Sequence, residues 1–338
     1  MIDRKKLSQD FLSSTKWAKA KRISISGDAS NRSYERLISF EHGNAIFMNS
    51  PPKAGEDVIS FLKICYYLLD IGLSAPNILN TDIQNGFLIL EDFGNNLFST
   101  TISTTPDCEL DLYLTAIDTL LFIHKAKPPC DLSDYTVLAM TDASLLSVDW
   151  YCKFLGEKPL SLDLKKNIKA VMSESLTNIM GSGRVLVHRD FHAENLLWLK
   201  DRAGLKKIGL LDFQDAMLGH PTYDLASLLN DIRRDVSLEV RTKCLRYYSS
   251  KVDIDYTNVI EAFTVCSAQR NLRILGVFTR LFIRDKKIAY LALLPRVWDR
   301  LLSDLQHPSL SGLANLVHRC FPEPTSSNIK RVINANAD

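Results

Sequence analysis

In VLVHRDFHAENLLWL, residues 185–199, an apolar run gives way to His188, Arg189 and Asp190, places an amide at Asn195, and then becomes apolar again. A second apolar run, KKIGLLDFQDAMLGHP, breaks at Asp212, 22 residues after Asp190. Each pattern reads as a short strand entering or leaving a polar loop. The polar groups therefore lie beside a hydrophobic core, where each needs a partner or a job. If the strands are neighbours, Asp190, Asn195 and Asp212 converge at one end of a small sheet. Phosphoryl transfer to a hydroxyl calls for such a set: one carboxylate to orient the nucleophile and take its proton, and an amide oxygen with a second carboxylate to hold Mg²⁺ on the phosphates. The same spacing equally suits a buried polar network that ties strands together.

A phosphate site is available upstream, in ISGDASNRSYERL. Small residues at Gly27, Ala29 and Ser30, in the turn that also holds Asp28 and Asn31, would let backbone N–H groups approach an anion, and Arg32 or Arg36 would add charge. A hairpin turn with no ligand accounts for GDASN as well. No GxxxxGK[ST] sequence and no strand-turn-helix GxGxxG is present, which excludes the common P-loop and Rossmann signatures. His188, His192 and His220 form no zinc signature, since HRDFH lacks the HExxH order.

These loops need elements to position them. Ile2, Leu7, Phe11 and Leu12 recur at helical spacing; ISISGDASNRSYERLISF and NAIFMNS then alternate as strands of a small sheet. Pro51 and Pro52 introduce a helix marked by Val58, Phe61, Leu62, Cys65, Leu68 and Leu69, which Gly72 and Pro76 close. NILNTDIQNGFLILEDFG reads as two more strands around Asn85-Gly86. From Asp107 onward the pattern is helical, with a looser stretch holding Trp150 and Tyr151, and PEPTSSNIKRVINANAD closes the chain as a polar, unpatterned tail. The fold class is thus α+β: a sheet lobe over residues 1–93, a hinge over 94–105, a helical lobe over 106–321 and a tail over 322–338. A cleft is expected at the boundary, and clefts between lobes are common binding sites.

Composition excludes several classes. Among 338 residues, 41 basic and 39 acidic side chains leave a formal charge of +2, which offers no global field for nucleic acid or an anionic membrane. The basic run KKLSQDFLSSTKWAKAKR reads as a solvated helix face. Seven cysteines form no CxxC pair, as expected of reduced thiols in the cytoplasm. Neither a signal peptide nor an apolar run of ~18 residues is expected to direct the chain into a membrane.

As a set, HRDFHAENLLW and IGLLDFQDAMLGHPTYDLASLL resemble the aminoglycoside phosphotransferase and choline kinase superfamily, whose fold is that of protein kinases, with a small antiparallel-sheet N-lobe and a larger, mainly helical C-lobe. SGDASNRSYERL, MNSPP, LILEDFG and QRNLRILGVFTRL are similar, more narrowly, to bacterial anomeric kinases of N-acetylated amino sugars. The resemblance spans roughly residues 20–300. It implies Asp190 as catalytic base, Asn195 and Asp212 as Mg²⁺ ligands, and His188 and Arg189 as supports of the loop. It also implies residues 27–31 as nucleotide loop, backbone groups of Leu90, Glu91 and Asp92 as readers of adenine, and Asp224 as a structural carboxylate. ATP and Mg²⁺ are the implied cofactors and a small amino sugar the acceptor, with no obligatory protein partner.

One departure stands out: kinases of this fold usually carry a phosphate-binding lysine on the third strand, and here Met48 occupies that place, with Lys53 beyond two prolines. Arg32 and Arg36 are candidates to supply the charge. Glu56 or Asp57, the usual partners of such a lysine, read equally as carboxylates at a helix start. For the acceptor, Trp150 and Tyr151 can stack on a pyranose while Asp149 takes hydroxyls, though an aromatic pair also suits a core. Arg270, between Gln269 and Asn271, can pair with an acceptor carboxylate or with a neighbouring helix. The competing functions are another small-alcohol kinase, a silent nucleotide-binding protein, and a protein kinase; the last lacks its activation-loop landmarks because LDFQDAMLGHPTYDLA passes almost directly into helix.

Overall fold

The computed structural model describes residues 4–25, 31–52, 58–156, 162–181 and 183–336, which fall into two compact units. The first comprises residues 1–107 and 194–216; the second comprises 108–193 and 217–338. The division therefore passes through the loop that follows Asp190, between Ala193 and Glu194.

In the first unit, β1 (Lys21–Ile25), β2 (Ser33–Ile38), β3 (Ala45–Asn49), β4 (Ile78–Asp82) and β5 (Phe87–Glu91) form an antiparallel sheet in the order β1-β2-β3-β5-β4. The central strands β3 and β5 are the most apolar, because both of their faces are covered. Helix α1 (Arg4–Ser13) covers one face: Leu12 and the following Trp17 pack on Leu37, Ala45, Phe47, Phe87 and Ile89. Met48 is fully buried in β3, opposite Tyr34 and Leu88, so an apolar side chain fills the place of the missing lysine. Helix α2 (Val58–Asp70) buries Val58, Phe61, Leu62, Cys65 and Leu68 of the expected stripe, with Ile64 also buried and Leu69 only half-buried. Asn85 and Gly86 lie in the turn between β4 and β5, as expected, although the loop is longer than a two-residue hairpin. Helix α3 (Phe98–Thr104) follows.

The second unit is largely helical: α4 (Glu109–Lys125), α5 (Val137–Ser144), the short α6 (Lys153–Leu155), α7 (Leu162–Ile179), α8 (Thr222–Leu229), α9 (Leu238–Val252), α10 (Tyr256–Asp285), α11 (Leu294–Asp304), α12 (Ser311–Cys320) and α13 (Ser326–Ala335). Helix α10 is its central element, capped by Asp255, whose side chain accepts the N–H of Thr257 at 2.8 Å.

Three local expectations change. The looser segment is helical, and residues 147–152 form a π-helical turn against α10. A Cβ on Gly276 of α10 would stand 2.2 Å from the carbonyl carbon of Leu146, so only glycine admits so close an approach of the two backbones. The polar tail carries α13, because Thr325 caps it, Val332 is buried, and Arg331 donates to the carbonyl of Leu155. The catalytic-looking strands also pair differently than a single small sheet requires. β6 (Val185–Val187) pairs with β9 (Met217–Gly219) in the second unit, whereas β7 (Leu196–Trp198) pairs with β8 (Ile208–Leu210) in the first.

Candidate active site

In the second unit, β6 ends where two backbone N–H groups meet a buried carboxylate. Asp224, in the first turn of α8, accepts from His188 N at 2.5 Å and from Arg189 N at 2.8 Å. A first-turn carboxylate is expected to serve its own helix; this one serves the loop. Burial pushes the Asp224 carboxyl up, and these hydrogen bonds, His188 and Arg270 oppose the shift. Arg189 takes φ 75°, a left-handed conformation uncommon for a side-chain-bearing residue, and its guanidinium lies 5.0 Å from the Tyr135 ring centre. Its carbonyl accepts from Arg270 Nη1 at 2.6 Å.

Asp190 follows, half-buried. Burial alone would raise its carboxyl, but the charges of Arg273, Arg270 and Arg189 together hold it well below the ordinary carboxylate range. It is therefore ionised at any working pH. His192 is held the other way: burial and Arg233, whose Nη1 lies 3.0 Å from Nε2, keep the imidazole neutral.

In the first unit, Asn195 and Asp212 flank opposite strands at one end of the β7–β8 ribbon. Register pairs Leu196 with Leu210, and Leu211 N donates to the Asn195 carbonyl at 3.0 Å. The ribbon thus brings these two residues together, as their sequence contexts suggested. Asp212 also has positive φ, at 59°, and its Oδ1 accepts from Gln214 Nε2 at 2.8 Å. The other described non-glycine residues with positive φ, Asp253 and Lys286, end helices. Strained backbone at Arg189 and Asp212 has no such local explanation, and functional sites are where it concentrates. Next to Asp212, Phe213 is fully buried and stacks on Phe61 of α2, ring centres 4.9 Å apart.

The ribbon is tied to β5 and the residues around it. Arg202, between β7 and β8, pairs with Glu91 Oε1 and donates to Ser74 Oγ at 2.6 Å, while its guanidinium lies 5.0 Å from the Phe93 ring centre. A Cβ on Gly209 would come within 2.9 Å of the Phe93 ring, so the glycine admits that ring. Leu90 and Glu91 still belong to β5, and the Glu91 N–H is taken by the Asn77 carbonyl at 2.9 Å. Backbone groups available beyond the ladder therefore begin at Asp92. Arg36, a candidate for the phosphate charge, bonds this segment: Nη2 donates to Asp92 Oδ1 at 3.0 Å and Nη1 to Asn95 Oδ1 at 2.7 Å. Arg32 is buried and Asn31 exposed before β2. Gly27, Asp28, Ala29 and Ser30, like Lys53, Glu56 and Asp57, lie outside the described residues.

Among the residues considered for the acceptor, Tyr151 is a core residue. It is fully buried, its hydroxyl donates to the Pro322 carbonyl at 2.5 Å, and its ring stacks on Trp298. Trp150 is half-buried on Phe154, and Asp149 is exposed and paired with Lys165 at 2.7 Å. Arg270 is 7% exposed, and its bond to the Arg189 carbonyl makes it a support of the loop. Gln269 donates to the Met140 carbonyl at 2.8 Å and Asn271 to Asp304 at 2.8 Å, so both are structural. Sequence reasoning passed over Arg202, Arg273, Asp231 and Arg233, because each lies in a helix or turn whose polar pattern reads as ordinary surface. Only the i, i+3 spacing of Arg273 from Arg270 placed it on the same helix face.

The architecture defines a class. A choline/ethanolamine kinase family protein from Mesorhizobium loti shares the fold at a TM-score of 0.63 and 13% identity, covering 94% of this chain and 99% of that one. A microcompartment-associated aminopropanol kinase does so at 0.62 and 16%, covering 91% and 98%. Residues 21–260 match the phosphotransferase enzyme family, and the chain belongs to that family. It is 35% identical to a Caulobacter vibrioides protein named N-acetylmuramate/N-acetylglucosamine kinase, over 93% of this chain and 96% of the relative. A Pseudomonas aeruginosa protein of the same name is 29% identical over 88% of each.

Proposed function

We propose that this phosphotransferase moves the γ-phosphoryl group of ATP to the anomeric hydroxyl of N-acetylmuramate and N-acetylglucosamine. The observation that carries the reading is the 35% identity, over nearly the full length of both chains, to a kinase named for those two sugars.

In this reading Asp190 is the base. The arginines around it keep it ionised, so it accepts a hydrogen bond from the acceptor O1–H and orients that oxygen in line with the γ-phosphorus. The O1–P bond forms as the bond from phosphorus to the bridging oxygen breaks, the proton passes to Asp190, and ADP leaves. A carboxylate of such low basicity takes the proton late. Asp224, Arg189 and Arg270 contribute by fixing the backbone on which Asp190 sits. Asn195 and Asp212 fit Mg²⁺, because they offer hard amide and carboxylate oxygens from adjoining ends of one ribbon and Gln214 fixes the Asp212 side chain. Asn195 and Asp212 would hold such an ion, which would supply positive charge against the phosphates. Backbone groups from Asp92 onward, ordered by Arg36, would read adenine.

The product is a sugar 1-phosphate, suited to nucleotide-sugar synthesis and to recycling of cell-wall sugars in the cytoplasm. No helix among the described residues is long and apolar enough to cross a membrane, and the chemistry calls on no nucleic acid or protein partner. Phosphate transfer from ATP, assayed with Mg²⁺ against both sugars and their C1-blocked methyl glycosides, tests the reading. The free sugars are expected to react and the glycosides to be inert; phosphorylated glycosides would overturn the anomeric assignment. Asp190→Asn is expected to lose most turnover while still binding nucleotide, and unchanged turnover would remove Asp190 as base.

A further inference from the structure

The loop that carries Asp190 is held at its start by a carboxylate of α8 and is met farther on by a guanidinium from the segment that follows that helix. Asp224, in the first turn of α8, holds His188 and Arg189. Asp231, just past the end of α8, is buried. Two residues beyond Asp190, Arg233 Nη1 reaches His192 Nε2 at 3.0 Å. A guanidinium can only donate, so Nε2 must accept and the neutral imidazole carries its proton on Nδ1.

Residues 230–235 do not float. Asn230 donates to Ser267 of α10 at 2.5 Å. Arg234 donates to Glu109 at 2.5 Å and Tyr113 at 2.8 Å, both on α4. Asp235 accepts from Arg300 of α11 at 2.9 Å, and Arg296, one turn earlier, reaches the Ile232 carbonyl at 3.3 Å. Asp231 Oδ1 accepts the N–H of Arg233 at 2.8 Å, which sets the direction in which the Arg233 side chain leaves the backbone. Three helices thus fix the segment, and Arg233 carries that fixed position to His192 in the loop.

We propose that Arg233 is a positioning residue of the phosphotransferase reaction: seated by Asp231, it fixes His192 by a donated hydrogen bond and so sets where the Asp190 carboxylate meets the acceptor hydroxyl. The inference rests on the reading of Asp190 as base. Arg233, a guanidinium, takes no proton in the reaction. Its charge, with burial, Arg270 and His188, also keeps His192 neutral, against the opposing pull of Asp190.

The test uses the full chain and four variants. Arg233→Ala is expected to lower kcat by about 10²-fold, the scale of an ångström misplacement of a catalytic group, with KM for ATP unchanged, and free guanidinium is expected to restore part of the loss. Arg233→Lys, which keeps one donor, should retain more turnover than Arg233→Ala. His192→Gln, whose amide oxygen still accepts, should retain more than His192→Leu. Imidazole ¹⁵N spectra should show His192 as the Nδ1–H tautomer in the parent and as a mixture in Arg233→Ala. Turnover at the parent level in Arg233→Ala, or an unchanged tautomer there, overturns the proposal. Should Arg233→Ala not fold, the ordering of the lysine and glutamine variants decides: Arg233→Lys at parent turnover with His192→Gln no better than His192→Leu overturns it. Asp190→Asn run in parallel separates the two ideas, since full activity in that variant removes the base and not the geometry at Arg233.

Discussion

Arg189 reaches its left-handed conformation with its N–H on the buried carboxylate of Asp224, 2.8 Å away, and its carbonyl on Arg270. Each end of a strained peptide unit is thereby held by a buried charged group, and Asp190 is the next residue. The loop is shaped by groups that lie beneath it, none of which needs to meet a substrate.

Asp224→Asn is expected to destabilise the fold by about 1.5–3 kcal/mol, the scale of buried hydrogen bonds to a charged acceptor, because an amide presents one acceptor where two N–H groups must be met. Denaturant unfolding checks this. A midpoint matching the parent's would show that the two bonds are dispensable.

Arg270→Ala removes the bond to the Arg189 carbonyl. Because that bond supports the loop rather than an acceptor, kcat/KM should fall by a similar factor, about tenfold or more, for N-acetylmuramate and N-acetylglucosamine alike. A loss confined to the carboxylated sugar would restore the pairing of Arg270 with an acceptor carboxylate that its sequence context first suggested.

The legible parts of the site were those where polar residues interrupt apolar runs. Asp190, Asn195 and Asp212 stood out because strands flank them, and the register of β7 with β8 does bring Asn195 and Asp212 to one ribbon end. The partner of β6 was not legible: strands of three residues carry too little pattern to tell β8 from β9. Arg36 and Arg270 were visible as charges, but their partners were not, since what engages them is Asp92 and a backbone carbonyl distant in sequence. The π-helical turn at residues 147–152 escaped notice because its period matches neither template, and its cause lies more than a hundred residues away at Gly276.

Arg36→Ala should loosen the Asp92–Asn95 segment, because the guanidinium bonds Asp92, Asn95 and the Gly94 carbonyl together. KM for ATP is expected to rise by about tenfold or more, the scale of lost charge-assisted hydrogen bonds, while KM for the sugar stays within about twofold. Equal changes in both constants would count against a hinge role.

Gly276→Ala places a Cβ 2.2 Å from the Leu146 carbonyl carbon, a collision with backbone that no rotamer relieves. Overpacking of this kind costs about 1–3 kcal/mol or more, and the variant should unfold at lower urea than the parent. Parent-like stability would mean that the π-helical turn can shift away at little cost.

Asp304 offers a pH test of the second unit. It is buried on α11, accepts from Ser267 at 2.7 Å and Asn271 at 2.8 Å, and burial pushes its carboxyl up to about 7. The unfolded chain releases this proton near 4, so from about pH 4 to 7 the folded state holds a proton that the unfolded state has lost. Stability from this group is therefore greatest below pH 4, falls as pH rises through that window, and is flat above it. Asp304→Asn has no proton to lose and should remove that part of the slope, so that the variant gains on the parent by up to a few kcal/mol between pH 5 and 8. Urea unfolding of both proteins at those two pH values measures the difference directly, and parallel slopes would mean that the Asp304 carboxyl titrates alike in the folded and unfolded chains.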